Sequence, residues 1–295
     1  MASVVSRGSA TLIDLKKGPE RLYSGYIFDL DGTVYIGDRL LPGASRTILK
    51  LRELGKRVVF ATNNPSRDVQ MYVDKLAGMG VSVSASDVVT SVSTTTEWLI
   101  ENEPQAVVFP IGEEALRESL RENGIRTSDE PAEIDIVIAS TDRQFDYRKL
   151  TIAFRALRRR NGARLICTNT DRVTILADGT CLPAAGAIVA AIEAGAGVKC
   201  EVDCGKPGLI MLAAVMRAVG HEPKDCICVG DRLYTDIKMG IDAGMHTALV
   251  FTGEATRESL LASPPDQHPT YAFDRIDRLV PVALWEEFGW TELNG

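Results

Sequence analysis

Apolar residues along the chain gather into short continuous runs closed by turn formers, with helically spaced stretches between them. Tyr26 to Leu30 is one such run, ended by Asp-Gly, and Arg57 to Ala61 is another, ended by Asn-Asn-Pro. Runs of this length suit strands buried on both faces of a parallel sheet. Between them, Ile48, Leu49, Leu51 and Leu54 followed by Gly55 give a helical face with a glycine stop. The same alternation predicts strands at Ala106 to Phe109, Ile134 to Ala139, Arg164 to Cys167, Cys226 to Val229 and Thr247 to Phe251. Helices are predicted around Glu113 to Arg121, Tyr147 to Arg160 and Ile210 to Val219. Strand and helix alternate throughout without a fixed-period repeat, so the fold class is α/β.

Composition narrows the functions. The 295 residues are 45% hydrophobic and 25% charged, which suits a folded chain of one large or two medium domains. With 33 basic and 40 acidic residues the net charge is −7, so no global positive field exists to hold nucleic acid or an anionic membrane. Any anionic ligand must be met locally. Arg158-Arg159-Arg160 closes a predicted helix, where cations complement the negative end of the dipole. Six cysteines are too few for a disulfide scaffold, and the spacing of Cys200, Cys204, Cys226 and Cys228 is not a strong zinc pattern; they read as reduced, buried thiols. Met1 to Gly8 carries no apolar stretch behind its arginine, and the longest apolar run, Leu209 to Met216, stops at Arg217. No signal peptide, no membrane span and a cytoplasmic location are therefore expected. Residues 261–295, with Trp285 and Trp290, read as a packed tail.

Candidate chemistry sits where the predicted strands end. In Asp29-Leu30-Asp31-Gly32-Thr33, side chains two apart on extended chain share a side, so Asp29 and Asp31 present two carboxylates to one place. Their repulsion falls if a hard cation bridges them, and Mg²⁺ is the ion that pairs carboxylates with phosphate. Thr62-Asn63-Asn64 follows the next strand, one crossover unit of about 30 residues later, and offers a hydroxyl and amides to a phosphoryl oxygen. Gly205-Lys206-Pro207 places a lysine before a proline expected in the first helical turn. Gly230-Asp231-Arg232-Leu233-Tyr234-Thr235-Asp236 runs from another apolar strand into two more acids; Asp236 could ligate, support or cap a helix. Singly, each is an ordinary turn. All four falling at strand ends is not.

Together, DLDGT at 29–33, TNN at 62–64, GKP at 205–207 and GDRLYTDI at 230–237 resemble the haloacid dehalogenase (HAD) superfamily of phosphotransferases, over about residues 24–280. The likeness is greatest to its IIA branch of p-nitrophenyl phosphatases, pyridoxal phosphatase and NagD-type phosphatases. It implies a Rossmann-like parallel-sheet core at 1–92 and 180–295 with an α/β cap inserted at 93–179. It also implies that Asp29 is the nucleophile and Asp31 the general acid and base. Mg²⁺ would be held by Asp29, the Asp31 carbonyl and Asp231, with Asp236 supporting. Thr62, Asn63, Asn64 and Lys206 would bind the phosphoryl group. In the cap, Asp142 to Tyr147 and Thr168 to Asp171 also resemble the branch, making Gln144, Asn169 and Asp171 specificity candidates.

Two departures stand out. Pro183-Ala184-Ala185-Gly186 replaces a Pro-Gly turn, and Tyr234 stands where an acid is common. The expected function is a Mg²⁺-dependent phosphatase of small phosphorylated metabolites working through an aspartyl-phosphate, with room for a homodimer through the cap. Sugar phosphates, glycerol phosphate, phosphoglycolate, pyridoxal phosphate and nucleoside monophosphates all fit. The alternative, a non-catalytic binding or scaffold protein on the same fold, sits badly with an intact set of charged residues. A serine or cysteine hydrolase would need a positioned histidine, and none of His221, His246 and His268 flanks a nucleophile elbow.

Overall fold

The computed structural model describes residues 18–176 and 178–291. The stretch read above for a signal peptide, Met1 to Gly8, lies outside them. Two parallel sheets organise the described chain. The first has six strands in the order Tyr271–Phe273, His246–Val250, Cys226–Gly230, Gly25–Phe28, Arg57–Thr62, Val88–Thr90. The second has five, in the order Val202–Asp203, Arg164–Cys167, Ile136–Ala139, Val107–Ile111, Arg126–Thr127. The expected α/β architecture, a parallel-sheet core with a second α/β unit inserted in the chain, is what forms.

Alternation along the central strand explains the layering. Tyr26 and Phe28 face one side of the first sheet, with Phe60, Val229 and the helix residues Ile48, Leu51, Tyr72 and Leu76. Ile27 faces the other, with Val59, Cys228 and the Leu209–Val219 helix through Met211 and Val215. Both faces are dry, so the strands are apolar throughout, as buried parallel strands must be. The second sheet is covered likewise. Val92, Leu99 and Leu116 pack on one face, and Ile152, Ala156, Ile188 and Ile192 on the other.

Two expectations need correction. The motif positions place residues 180–203 in the core, yet the Ala185–Ala196 helix and the Val202–Asp203 strand belong to the second sheet's layers. The second unit thus reaches past 179 to Asp203. The physical reason is that Ile188, Val189 and Ile192 find their apolar partners on the cap sheet, which a boundary drawn from motif positions does not register. Pro207 is also not in the first helical turn: the helix begins at Leu209 with Gly208 as its cap, and the Lys206–Pro207 peptide is cis.

All six cysteines are free thiols. Arg159 donates to the carbonyl oxygens of Ala132 and Ile134, so this part of the arginine run is a structural contact. Trp285 is buried in the core, with Trp290 packed edge-on to it at 6.0 Å. No helix among the described residues is long and apolar enough to cross a membrane.

Ile192→Ala tests the redrawn boundary. Loss of a fully buried isoleucine should cost about 2–5 kcal/mol in urea denaturation. Amide exchange should quicken first in Ile136–Ala139 and Arg164–Cys167; faster exchange centred on Gly25–Phe28 would return the helix to the core.

Candidate active site

Register brings the site together. In the first sheet Phe28 pairs with Phe60 on one side and with Val229 on the other. The three adjacent parallel strands therefore run out at the same edge, and Asp29 just past the first, Thr62 at the end of the second and Asp231 just past the third emerge at one rim. This is the carboxyl edge of an open parallel sheet, where crossover connections diverge and leave a crevice. A cavity of 540 Å³ opens there, lined among others by Asp29, Asp31, Thr62, Lys206, Asp231 and Asp236.

Lys206 is the centre of the charge arrangement. Its Nζ lies 2.5 Å from Asp29 Oδ1 and 2.7 Å from Asp236 Oδ1, and donates to the Ala61 carbonyl oxygen at 2.7 Å. Two of its protons go to Asp29 and Ala61 as hydrogen bonds, and Asp236 is held as an ion pair. Burial works against its charge, but Asp236 and Asp29 outweigh burial and hold it above the usual lysine range. Asp29, Asp231 and Asp236 bring carboxylate oxygens within 4.8 Å of one another. Three carboxylates thus face one ammonium. Asp29 is consequently pushed well above the ordinary carboxylate range, by burial first and by Asp236 and Asp231, with Lys206 opposing. Asp231 is pushed up to about 7 by burial and Asp236, against Arg232.

This donor set fits a divalent cation. Hard carboxylate oxygens are the ligands such ions take, and the surplus negative charge is what an ion would neutralise. One Asp231 oxygen, Oδ1, is buried with no hydrogen-bond partner, while Oδ2 accepts from the Glu254 amide at 2.6 Å. A side chain at Gly253 would place Cβ within 1.9 Å of Asp231 Oδ2, so the loop must be glycine for Asp231 to sit there. Gly32, at φ 85°, makes a similar close approach from the other side. The third side-chain member of the cluster is Asp236, from the turn Leu233–Ile237, rather than the side chain of Asp31.

The Thr-Asn-Asn triplet divides its labour. Thr62 is buried and its Oγ1 accepts from the Asn64 amide at 3.1 Å. The Asn63 side chain, expected to meet phosphate, is committed elsewhere. Its Oδ1 accepts from the Lys206 amide at 2.6 Å, and its Nδ2 donates to the Lys206 carbonyl at 2.9 Å and to Asp171 Oδ1 at 3.2 Å. Asn63 braces the lysine loop. Asn64 Nδ2 donates to Asp31 Oδ2 at 3.2 Å.

The cap candidates separate. Asn169 and Asp171 line the cavity, joined by an Asn169 Nδ2 bond to Asp171 Oδ2 at 3.2 Å. Asp171 is also paired with Arg232 of the core, 3.0 Å away. Gln144 is exposed and does not line the cavity; its loop instead packs through Asp142, which accepts from Lys149 and the Gln144 amide. Gln144 follows the Ile136–Ala139 strand through a turn in which Asp142 accepts from its amide, and its side chain lies in solvent.

Other wall residues carry no motif. A hairpin of Val173–Ile175 and Cys181–Pro183 supplies Val173, Ile175, Leu176 and Cys181, and Thr141 and Ile36 add to it. Gly179, at φ 82° beside Asp178, was the available signal for that turn. Both departures are also accounted for. Gly186 lets the following helix approach the Thr170 and Asp171 carbonyls, which a Cβ would meet at 2.6 and 2.8 Å. Tyr234 donates its hydroxyl to Glu254 at 3.2 Å, and Glu254 pairs with Arg232 at 2.8 Å, so an acid reaches this place from another loop.

Comparison with known proteins agrees with this geometry. Residues 26–126 match a family model described as haloacid dehalogenase-like hydrolase, and residues 203–279 match a HAD-hydrolase-like model. The chain is 34% identical over 261 residues to the 5'-nucleotidase YutF of Bacillus subtilis, covering 88% of this chain and 99% of that protein. It is 36% identical over 260 residues to the sugar-phosphatase AraL of the same organism, covering 88% and 93%. Among solved structures, 4-nitrophenylphosphatase from Thermotoga maritima superposes with a TM-score of 0.80 at 36% identity, covering 87% of this chain and 96% of that one. With two family models, full-length relatives and an acidic site at the matching motifs, the chain belongs to the haloacid dehalogenase-like hydrolases, in their IIA phosphatase branch.

Proposed function

We propose that the chain is a Mg²⁺-dependent phosphatase of small phosphorylated metabolites, acting through a phosphorylated Asp29. The observation that carries this reading is Asp29 at the cavity floor, held by Lys206 and grouped with Asp231 and Asp236. The relatives named for nucleotide, sugar and nitrophenyl phosphatase activity support it.

In this mechanism an Asp29 oxygen attacks phosphorus, and the bond to the leaving oxygen breaks as Asp31 gives that oxygen its proton. Water then attacks the phosphorus of the aspartyl-phosphate, returning a proton to Asp31 and releasing Asp29. Lys206 offsets negative charge beside Asp29 throughout, and Thr62 presents its hydroxyl to a phosphoryl oxygen. Asp29, Asp231 and the Asp31 carbonyl would hold Mg²⁺, with Asp236 beside them. When bound, the ion supplies the positive charge that orients Asp29 and offsets charge on the transferring phosphoryl group.

The cavity wall bears on the leaving group. Val173, Ile175, Leu176, Cys181 and Ile36 give it an apolar side. Among the described residues the cations that line it are Lys206 and Arg232, and both are already ion-paired. That combination favours a leaving group with an apolar face and no second charge, over phosphoglycolate or a bisphosphate.

Three measurements bear on the reading. Asp29→Asn should lower kcat at least about 10³-fold while the melting temperature does not fall, because the change removes one of the crowded like charges. Substantial residual turnover would refute the nucleophile. Mg²⁺ should raise the melting temperature progressively with the logarithm of its concentration above Kd, by about 2.7 kcal/mol of stability at a hundredfold excess over Kd. That response should vanish in Asp231→Asn; its persistence would move the ion elsewhere. Ile175→Ala should raise KM on the order of tenfold for an apolar-faced substrate with kcat little changed. An equal loss on phosphoglycolate would make the hairpin a support and not a selector.

A further inference from the structure

Every polar group of Asn64 has a partner inside the protein. Its main-chain amide donates to Thr62 Oγ1 at 3.1 Å, and its carbonyl accepts from the Tyr72 hydroxyl at 2.9 Å. Its side-chain Oδ1 accepts from the Ser66 amide at 3.1 Å, closing a local turn, and Nδ2 donates to Asp31 Oδ2 at 3.2 Å. Tyr72 is fully buried on the Val69–Gly78 helix, among Tyr35, Phe60 and Leu76. The backbone of Asn64 is thus tied to the core through Tyr72 and Thr62, and its side-chain amide is held by the Ser66 turn facing Asp31. An asparagine held in this way does not reach for phosphate. It aims its Nδ2 at a carboxylate.

We propose that Asn64 is the positioning residue of Asp31: its fixed side-chain amide holds one oxygen of that carboxylate and so orients the other to pass a proton to the leaving group. This rests on the acid role of Asp31 given under the proposed function. The chemistry explains why an amide is suited to the place. Asp31 stands just before Gly32 and is partly buried like Asp29, but where Lys206 pairs with the Asp29 and Asp236 carboxylates, the Asp31 carboxylate is met by the Asn64 amide. An amide N–H restrains a carboxylate without adding charge, whereas a lysine or arginine there would compete with the cation-binding cluster at Asp29 and Asp231. Small losses of orientation at a reacting group carry large rate costs.

The test exploits leaving-group chemistry. 4-Nitrophenolate departs well without a proton, whereas a sugar or alkyl alkoxide needs one, and kcat/KM reports events through departure of the first product. Asn64→Ala removes the amide. Asn64→Ser also removes its reach to Asp31 but keeps an oxygen that can cap the Ser66 turn, so it carries the test if the alanine variant is poorly folded. In both, kcat/KM for an alkyl phosphate should fall at least about tenfold more than for 4-nitrophenyl phosphate, at a melting temperature close to the parent's. Asp31→Asn, measured alongside, should show the same skew more strongly. A skew in Asp31→Asn with none in either Asn64 variant overturns the positioning role. No skew in any of the three overturns the acid role of Asp31, and the role of Asn64 with it.

Discussion

The arrangement of like charge around one lysine governs this protein. Asp29 and Asp236 both lie against the Lys206 ammonium, and Asp231 completes a buried group that the ammonium alone does not neutralise. Such a group is costly in an apolar fold, and it is tolerated here because every surrounding element is shaped to it. The Ala61 carbonyl accepts from the lysine, Asn63 clamps the lysine's own backbone at both ends, and Gly253 and Gly32 leave room for Asp231. The same surplus of negative charge that strains the protein by itself gives it a use for a divalent cation.

The cap is tied to that centre through a second set of charges. Arg232 follows Asp231 directly, pairs with Asp171 of the cap and with Glu254, and donates to the Val173 carbonyl at the root of the hairpin. Asn63, which braces Lys206, also reaches Asp171. Residues next to the acidic cluster therefore hold the cap hairpin in place over the cavity. Asp171, read from the sequence as a chooser of substrate, lines the cavity and also joins the two layers through Arg232 and Asn63.

Much of this was legible beforehand, element by element. The buried strands at Tyr26, Arg57, Ile134, Arg164 and Cys226 announce themselves because a strand covered on both faces has no polar positions to interrupt it. Short edge strands do not. Val88–Thr90 and Tyr271–Phe273 are three residues long, too few to establish a period, and Val202–Asp203 is shorter still. The helix Ala185–Ala196 is rich in alanine and glycine, so its face is weakly marked, and which sheet it covers depends on Ile188 and Ile192 finding partners far away in sequence.

The sequence by itself determined the chemistry: four groups of acids, amides and a lysine at the ends of apolar runs, which any parallel α/β sheet delivers to one edge, because all strands of such a sheet end on the same side. What those groups do to one another was decided only by the tertiary structure. Side-chain partners are chosen by distances between loops that sequence spacing does not encode. Asn63 turned inward to Lys206, Asn64 to Asp31 and Asp171 to Arg232, while Gln144 turned out to solvent. Motif position fixes where along the rim a residue emerges; the packing of the loop that carries it fixes what it touches.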